Sequence, residues 1–231
     1  MALLDFSRFK ILTFDCYGTL IDWEAGIFSA LRPILAAHGK SISDTQLLEL
    51  YGDLEAQAEQ GEFRPYREVL QLVVTGFGKQ LGFEPSKQEK SSLPESLHNW
   101  LPFADTVPAL ERLKSKFKLA VISNVDDDLF APSAQKLKVH FDHVITAQQA
   151  RCYKPGTKIF NLALQTIGLS PDQILHCGQS IYHDVIPAQA LGMSTVWVRR
   201  PSPRAGVGAV KAASGRPDME VPNLETLASF V

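Results

Sequence analysis

Five short runs in this chain are apolar on both faces, and they set its fold class. They are KILTFD (Lys10–Asp15), KLAVIS (Lys118–Ser123), HVITA (His143–Ala147), QILHC (Gln173–Cys177) and STVWV (Ser194–Val198). A strand with one wet face alternates apolar and polar residues. A strand covered by helices on both sides does not. Helical patterns lie between the runs, at Thr106–Phe117, Asp127–Leu137, Pro155–Ile167 and Asp184–Leu191. Strands alternating with helices predict an α/β fold, a doubly wound parallel Rossmann-like sheet with right-handed crossovers.

One long segment breaks the alternation. From about Trp23 to Trp100 there is no convincing strand. Glu24–His38, Ser43–Gln60, Tyr66–Leu81 and Ser86–Trp100 read as amphipathic helices, separated at Gly39, Gly61–Pro65 and Gly82–Pro85. Ser43 and Gln46 have the spacing of a capping box. The expected organisation is an α/β core over residues 1–20 and 101–231, with a helical unit inserted over residues 21–100. Pro201–Pro217, rich in Gly, Pro, Ala and Ser, reads as a surface loop, and Asn223–Val231 as a short closing helix.

Composition works by exclusion. The chain has 231 residues and a formal net charge of -2, so it carries no footprint for nucleic acid or an anionic membrane. No run reaches the roughly 18 apolar residues of a membrane span. MALLDFSRFK lacks the apolar core of a signal peptide, so the expected setting is cytoplasmic. Cys16, Cys152 and Cys177 are odd in number, lack metal-type spacing and read as small buried thiols.

Open α/β sheets bind ligands outside the carboxyl ends of their strands. Asp15 leaves the first run, Ser123 and Asn124 the second, Lys154 follows the third, and GQSIYHD (Gly178–Asp184) follows the fourth. Each has a plain structural use: a turn, a helix cap, a solvated lysine, a first-turn acid. Their convergence on one edge suits nucleophilic catalysis. Asp15 would be the nucleophile, and Lys154 would keep it ionised and balance charge. Asp184 would either hold Lys154 or help activate water.

FDCYGTL, ISN, YKP and GQSIYHD resemble the four motif stations of the haloacid dehalogenase superfamily, and the helical insert is similar to that family's cap domain. Within it the chain looks most like the type II 2-haloacid dehalogenases. The phosphatase branch has a second aspartate two places after the nucleophile and another after the fourth-motif glycine, both serving magnesium. Here those positions are Tyr17 and Gln179. Magnesium needs several hard oxygen ligands. The resemblance therefore implies a metal-free, cofactor-free hydrolase of a small 2-haloacid, with magnesium entering only in a diverged phosphatase.

The roles it implies are specific. Asp15 forms an ester with the substrate and Thr19 orients it. Ser123 and the backbone amides beside Cys16 and Tyr17 hold the substrate carboxylate. Asn124 faces the halide, and Lys154, Ser180 and Asp184 complete the catalytic set, with Gln179 beside the substrate. The family holds halide with a cap arginine, but there is none between Arg32 and Arg64, which leaves Arg32, Arg64 or Arg67 as substitutes. Ser and Asn of the family's fourth motif become Gln179 and Ile181, and an aromatic after the lysine becomes Phe160. Trp23, Phe28, Tyr66 and Leu70 could shape the pocket or belong to the insert's core. Alternatives are a diverged phosphatase and a non-catalytic binding protein. The implied partner is a small molecule, and the implied state a monomer or homodimer.

Overall fold

In the computed structural model, which describes residues 4–201, 209 and 213–231, the chain runs first into strand β1 (Ile11–Phe14). Helices α1 (Trp23–Ala37), α2 (Asp44–Ala58), α3 (Tyr66–Leu81) and α4 (Lys87–Ser96) follow without an intervening strand. Next come α5 (Thr106–Lys114), β2 (Lys118–Ser123), α6 (Asp127–Leu137), β3 (His143–Thr146), α7 (Ala147–Ala150) and α8 (Thr157–Ile167). The chain ends with β4 (Ile174–Gly178), α9 (Ile186–Ala190), β5 (Ser194–Val198), β6 (Met219–Val221) and α10 (Leu224–Ser229).

The strands form one parallel sheet in the order β3-β2-β1-β4-β5-β6. β1 and β4 are buried along their whole length, and β2 everywhere except Lys118. That is the burial their uninterrupted apolar runs require. β1 sits centrally. Its last residue, Phe14, pairs with Val121 on one side and Cys177 on the other. The residues leaving these three strands therefore emerge close together.

β6 was not foreseen. Three residues on a sheet edge, with Glu220 exposed, carry too little pattern to announce a strand. The helix expected from Asp184 begins earlier, as a π-helical turn over Ile181–Val185 that leads into α9. Ser180 Oγ accepts from the His183 amide and Asp184 Oδ2 from the Ser180 amide, and these side-chain bonds tie the wide turn. Most of the expected Pro201–Pro217 loop lies outside the described residues.

Local chemistry accounts for the helix starts. Asp22 caps α1, and both halves of the Ser43–Gln46 capping box form at α2. Ser86 and Glu89 do the same for α4. At α3 the capping position is Pro65, which has no side-chain acceptor. The orphan amides of Tyr66 and Arg67 are taken instead by the carboxylate of Asp126, each at 2.9 Å. Asp126 precedes α6, so the first turn of α3 is capped from beside the sheet. Among the described residues no helix is long and apolar enough to cross a membrane.

Candidate active site

Asp15 continues the ladder one step past β1, its amide bonded to the Cys177 carbonyl at 3.0 Å. The chain then turns tightly. The Cys16 carbonyl accepts from the amides of Thr19, Leu20 and Ile21. Gly18 makes this possible at φ +91, where a Cβ would also press to 3.0 Å from the Trp23 indole nitrogen. The turn brings Thr19 back beneath Asp15. Its hydroxyl donates to Asp15 Oδ2 at 2.7 Å and accepts from the Gln179 amide at 2.9 Å. Arg200 donates twice to the Thr19 carbonyl, at 3.0 and 2.8 Å, and once to Asp105 at 2.6 Å.

Lys154 is 2% exposed and lies between two carboxylates. Its ammonium donates to Asp15 Oδ1 at 2.8 Å, to Asp184 Oδ1 at 2.7 Å and to the Ile122 carbonyl at 3.0 Å. All three of its protons are thus directed. Asn124 clamps the Lys154 backbone from both sides, accepting its amide at 2.7 Å and donating to its carbonyl at 3.2 Å. Asp184 approaches so closely that a Cβ on Gly178 would lie 2.4 Å from its carboxyl. His176 stands 3.4 Å from Asp184 Oδ1 through Nε2 and 2.9 Å from Thr13 through Nδ1.

Burial works against every charge here, and the pairing decides the outcome. For Lys154 the two carboxylates outweigh burial and raise its pKa, so it stays an ammonium. For Asp184 burial is outweighed by the Lys154 charge and by His176, and its carboxyl is held below the ordinary range. Asp15 lies on the other side of the balance. Burial raises it, with Asp184 adding to the push and Lys154 and Thr19 opposing. The result is an aspartate more basic than usual, hydrogen-bonded to an ammonium.

These groups form the floor of a partly open cleft. Asp15, Tyr17, Ser123, Asn124 and Lys154 line it from β1, β2 and the segment after β3, and Gln179, Ser180, His183 and Asp184 from the segment after β4. Ser123 is fully buried, and its hydroxyl has no hydrogen-bond partner among the described residues. An unpaired buried hydroxyl costs roughly 1–3 kcal/mol. Ser123 lines the cleft together with Asp15.

Other expected residues go elsewhere. The Cys16 side chain is fully buried in the apolar core, and burial pushes its thiol up, so only its backbone stands near the cleft. Tyr17 lines the cleft, but its hydroxyl meets Ser133 at 3.1 Å and its ring packs edge-on against Trp100. Arg67 is turned to Asp128 at 2.6 Å and does not line the cleft. Arg32 pairs with Asp44, and Arg64 donates to the Ala58 carbonyl. No described arginine lines the cleft. Asn124 lines it with both ends of its amide bonded to Lys154. Phe160 packs against His176, below the site. Of the aromatic and apolar candidates, Trp23 and Tyr66 reach the cleft, whereas Phe28 and Leu70 do not.

The roof holds two residues that the sequence reading passed over, Glu55 in α2 and Glu59 at the cap just past its end. With Tyr51 they recur every four residues, the spacing of one helical stripe, and that signal was present. Tyr51 and Tyr66 both donate to Glu55, at 2.9 and 2.5 Å. Burial pushes Glu55 up to about 7, and burial with the Glu55 charge raises Glu59 well above its ordinary value. Arg200 and His176, the supports of Thr19 and Asp184, carried no sequence signal, Arg200 because it acts across 181 positions and His176 because it lies inside the run that forms β4.

A profile described as a hydrolase family, haloacid dehalogenase-like hydrolase, matches residues 9–192. The chain belongs to this family. Among curated relatives, the (S)-2-haloacid dehalogenase of Pseudomonas sp. strain YL is 24% identical over 225 residues, covering 96% of this chain and 94% of its own. The L-2-haloacid dehalogenase of Xanthobacter autotrophicus, solved with chloropropionic acid covalently bound, superposes with a TM-score of 0.79. It is 23% identical and covers 96% of this chain and 98% of that one. A HAD-hydrolase of Bacillus subtilis, solved bound to magnesium, gives 0.78 at 18% identity, covering 96% and 98%. This chain's fold thus recurs both in a protein solved with magnesium and in one solved with an organic acid covalently bound.

The residues present do not fit a magnesium ion. Tyr17 and Gln179 supply no carboxylate, and the Lys154 ammonium binds both Asp15 and Asp184. Among the described residues no group of three or more His, Cys, Asp or Glu is placed to hold a metal. A hard dication needs six oxygen ligands and would compete with Lys154 for the same two carboxylates.

Proposed function

We propose that this hydrolase displaces halide from a small 2-haloacid by a metal-free route through an ester on Asp15. The observation that carries the reading is Lys154 bonded to both Asp15 and Asp184, with Tyr17 and Gln179 where metal-assisted chemistry would need acids. Halide leaves without a proton, so a tyrosine at position 17 costs the reaction nothing. Relatives named as (S)-2-haloacid dehalogenases over nearly the full length support it.

The Ser123 hydroxyl and the backbone amides at Cys16 and Tyr17 hold the substrate carboxylate. An oxygen of Asp15, kept in line by Thr19 and Lys154, attacks the carbon bearing the halogen, and the carbon–halogen electron pair leaves with halide. Water then adds to the carboxyl carbon of Asp15. The acyl–oxygen bond breaks, and the 2-hydroxy acid departs with an oxygen that came from Asp15. One water proton completes the product hydroxyl, and the other passes to solvent. With its pKa held low, Asp184 is a weak base. Of the two roles considered for it, fixing Lys154 suits it better. Ser180 holds the turn that carries Asp184, and Gln179 and Asn124 complete the walls.

On this reading residues 21–100 act as a cap that excludes water until the ester forms, in a cytoplasmic enzyme working as monomer or homodimer. Incubation with 2-chloropropionate in chelator should release chloride, and Asp15→Asn should abolish release. A phosphate-ester panel turned over only with magnesium, and no halide from any haloacid, would overturn the proposal in favour of a diverged phosphatase.

A further inference from the structure

The roof of the cleft has no counterpart in the chemistry described so far. Displacement at Asp15 needs a nucleophile, an ammonium and donors for one carboxylate, and the floor supplies all three. Yet α2 turns Glu55 and Glu59 into the same space. Four carboxyl groups, Asp15, Asp184, Glu55 and Glu59, then line the cleft against the single ammonium of Lys154. That ammonium has no donor left, because Asp15, Asp184 and the Ile122 carbonyl take all three. Of the other titratable groups on the lining, His183 is tied to Ser180, Tyr17 to Ser133 and Tyr66 to Glu55.

The two glutamates differ in their support. Glu55 receives the hydroxyls of Tyr51 and Tyr66 and is fixed in place. Glu59 follows one turn later, at the end of α2. Burial and the Glu55 charge oppose ionisation of Glu59, and Lys154 is the charge that favours it. A second anion entering at this end would meet a carboxyl pair. A cation would satisfy it, favouring the ionised carboxyls that burial otherwise opposes. Independently, Ser123, fully buried with an unpartnered hydroxyl, lines the cleft at the floor, marking where a ligand's acceptor sits. The cleft therefore has an acceptor-seeking end at the strand edge and a cation-seeking end at α2.

We propose that Glu55 and Glu59 form an ammonium subsite, so that the substrate is a short acid carrying a protonated amine at the end remote from its carboxylate. The inference rests on the reading of the floor as the seat of the carboxylate and reacting carbon. It deepens that reading by naming the substrate class. Plain haloacids such as 2-chloropropionate still react on this reading, but bind more weakly than an acid whose amine meets the roof.

Binding of unreactive product analogues tests this without any halide chemistry. The full-length protein is titrated calorimetrically with lactate, with malate, and with ω-amino-2-hydroxy acids of increasing chain length. At the favoured length the amino acid should bind at least ~10-fold tighter than lactate, a coupling of ordinary ion-pair size. Malate should bind more weakly than lactate. In Glu59→Gln, and further in the Glu55→Gln/Glu59→Gln double variant, the ratio of amino-acid to lactate affinity should collapse toward one. If either variant fails to fold, the ranking of the three ligands on the native protein still decides. Amino acids no tighter than lactate at any length, malate tighter than lactate, or a ratio that survives both substitutions would overturn the subsite. Loss of halide release with the ligand ranking intact would instead fault the dehalogenase reading.

Discussion

The floor of the cleft comes from the ends of parallel strands, whereas its roof comes from helices α2 and α3, and the two are held by different kinds of contact. On the floor the bonds that bring the strand ends together span long stretches of sequence. Lys154 reaches Asp15 across 139 positions, and the Gln179 amide reaches Thr19 across 160. On the roof the carboxyl of Glu55 is bonded by Tyr51 and Tyr66, both of the roof itself. One carboxylate, Asp126, ties the two by capping α3 from beside the sheet. The contrast separates two jobs. On the proposed reading, reaction type rests with the floor and substrate choice with the roof.

Substitutions on either side should break that comparison in graded steps. The largest effect belongs to Asp15→Asn, which removes the nucleophile while keeping its shape. Turnover should fall by ~10⁴-fold or more in steady-state assays, with little change in the thermal midpoint. Lys154→Met comes next. It strands two buried carboxylates and should lower unfolding free energy by about 3–5 kcal/mol in urea titrations, in addition to abolishing activity. Asp126→Ala touches only the tie between floor and roof. Losing the cap of α3 should cost about 1 kcal/mol, and hydrogen exchange should quicken in α3 before it does in the central strands. If it matched Lys154→Met in cost, roof and floor would not be separable.

The acid limb of the pH profile sharpens the same contrast. Asp15 must be ionised to attack, and burial raises its pKa above the ordinary 3.8. Activity should therefore be lost, as pH falls, at a pH higher than an exposed aspartate would give. Asp184, held low by Lys154, stays ionised through that range, so its stabilising contribution should persist there and be lost only at lower pH.

The same division decides what could be read beforehand. Doubly apolar runs located the buried strands, with β2 and β5 falling on the expected residues, because sidedness of burial is written in the run itself. The rule that sites gather at strand ends brought Asp15, Ser123, Lys154 and Asp184 together. Helix α3 spans the expected Tyr66–Leu81, yet its cap was invisible, being supplied by Asp126 sixty residues on. The direction in which α2 faces depends on how helices pack over the sheet, so Glu55 and Glu59 were missed despite their spacing. Arg67, expected at the substrate, is drawn off by Asp128 at the start of α6. β6 fell below any pattern because three residues at an edge need no apolar run.

The central claim is that Asp15 itself becomes the ester, and one measurement addresses it directly. A single turnover of a reactive 2-haloacid is run in heavy-oxygen water, and the peptide carrying Asp15 is weighed. Hydrolysis at the carboxyl carbon places the heavy oxygen in Asp15 and leaves the first-turnover product unlabelled. Heavy oxygen in the product, with Asp15 unlabelled, would mean that water attacks the substrate directly and would contradict the account.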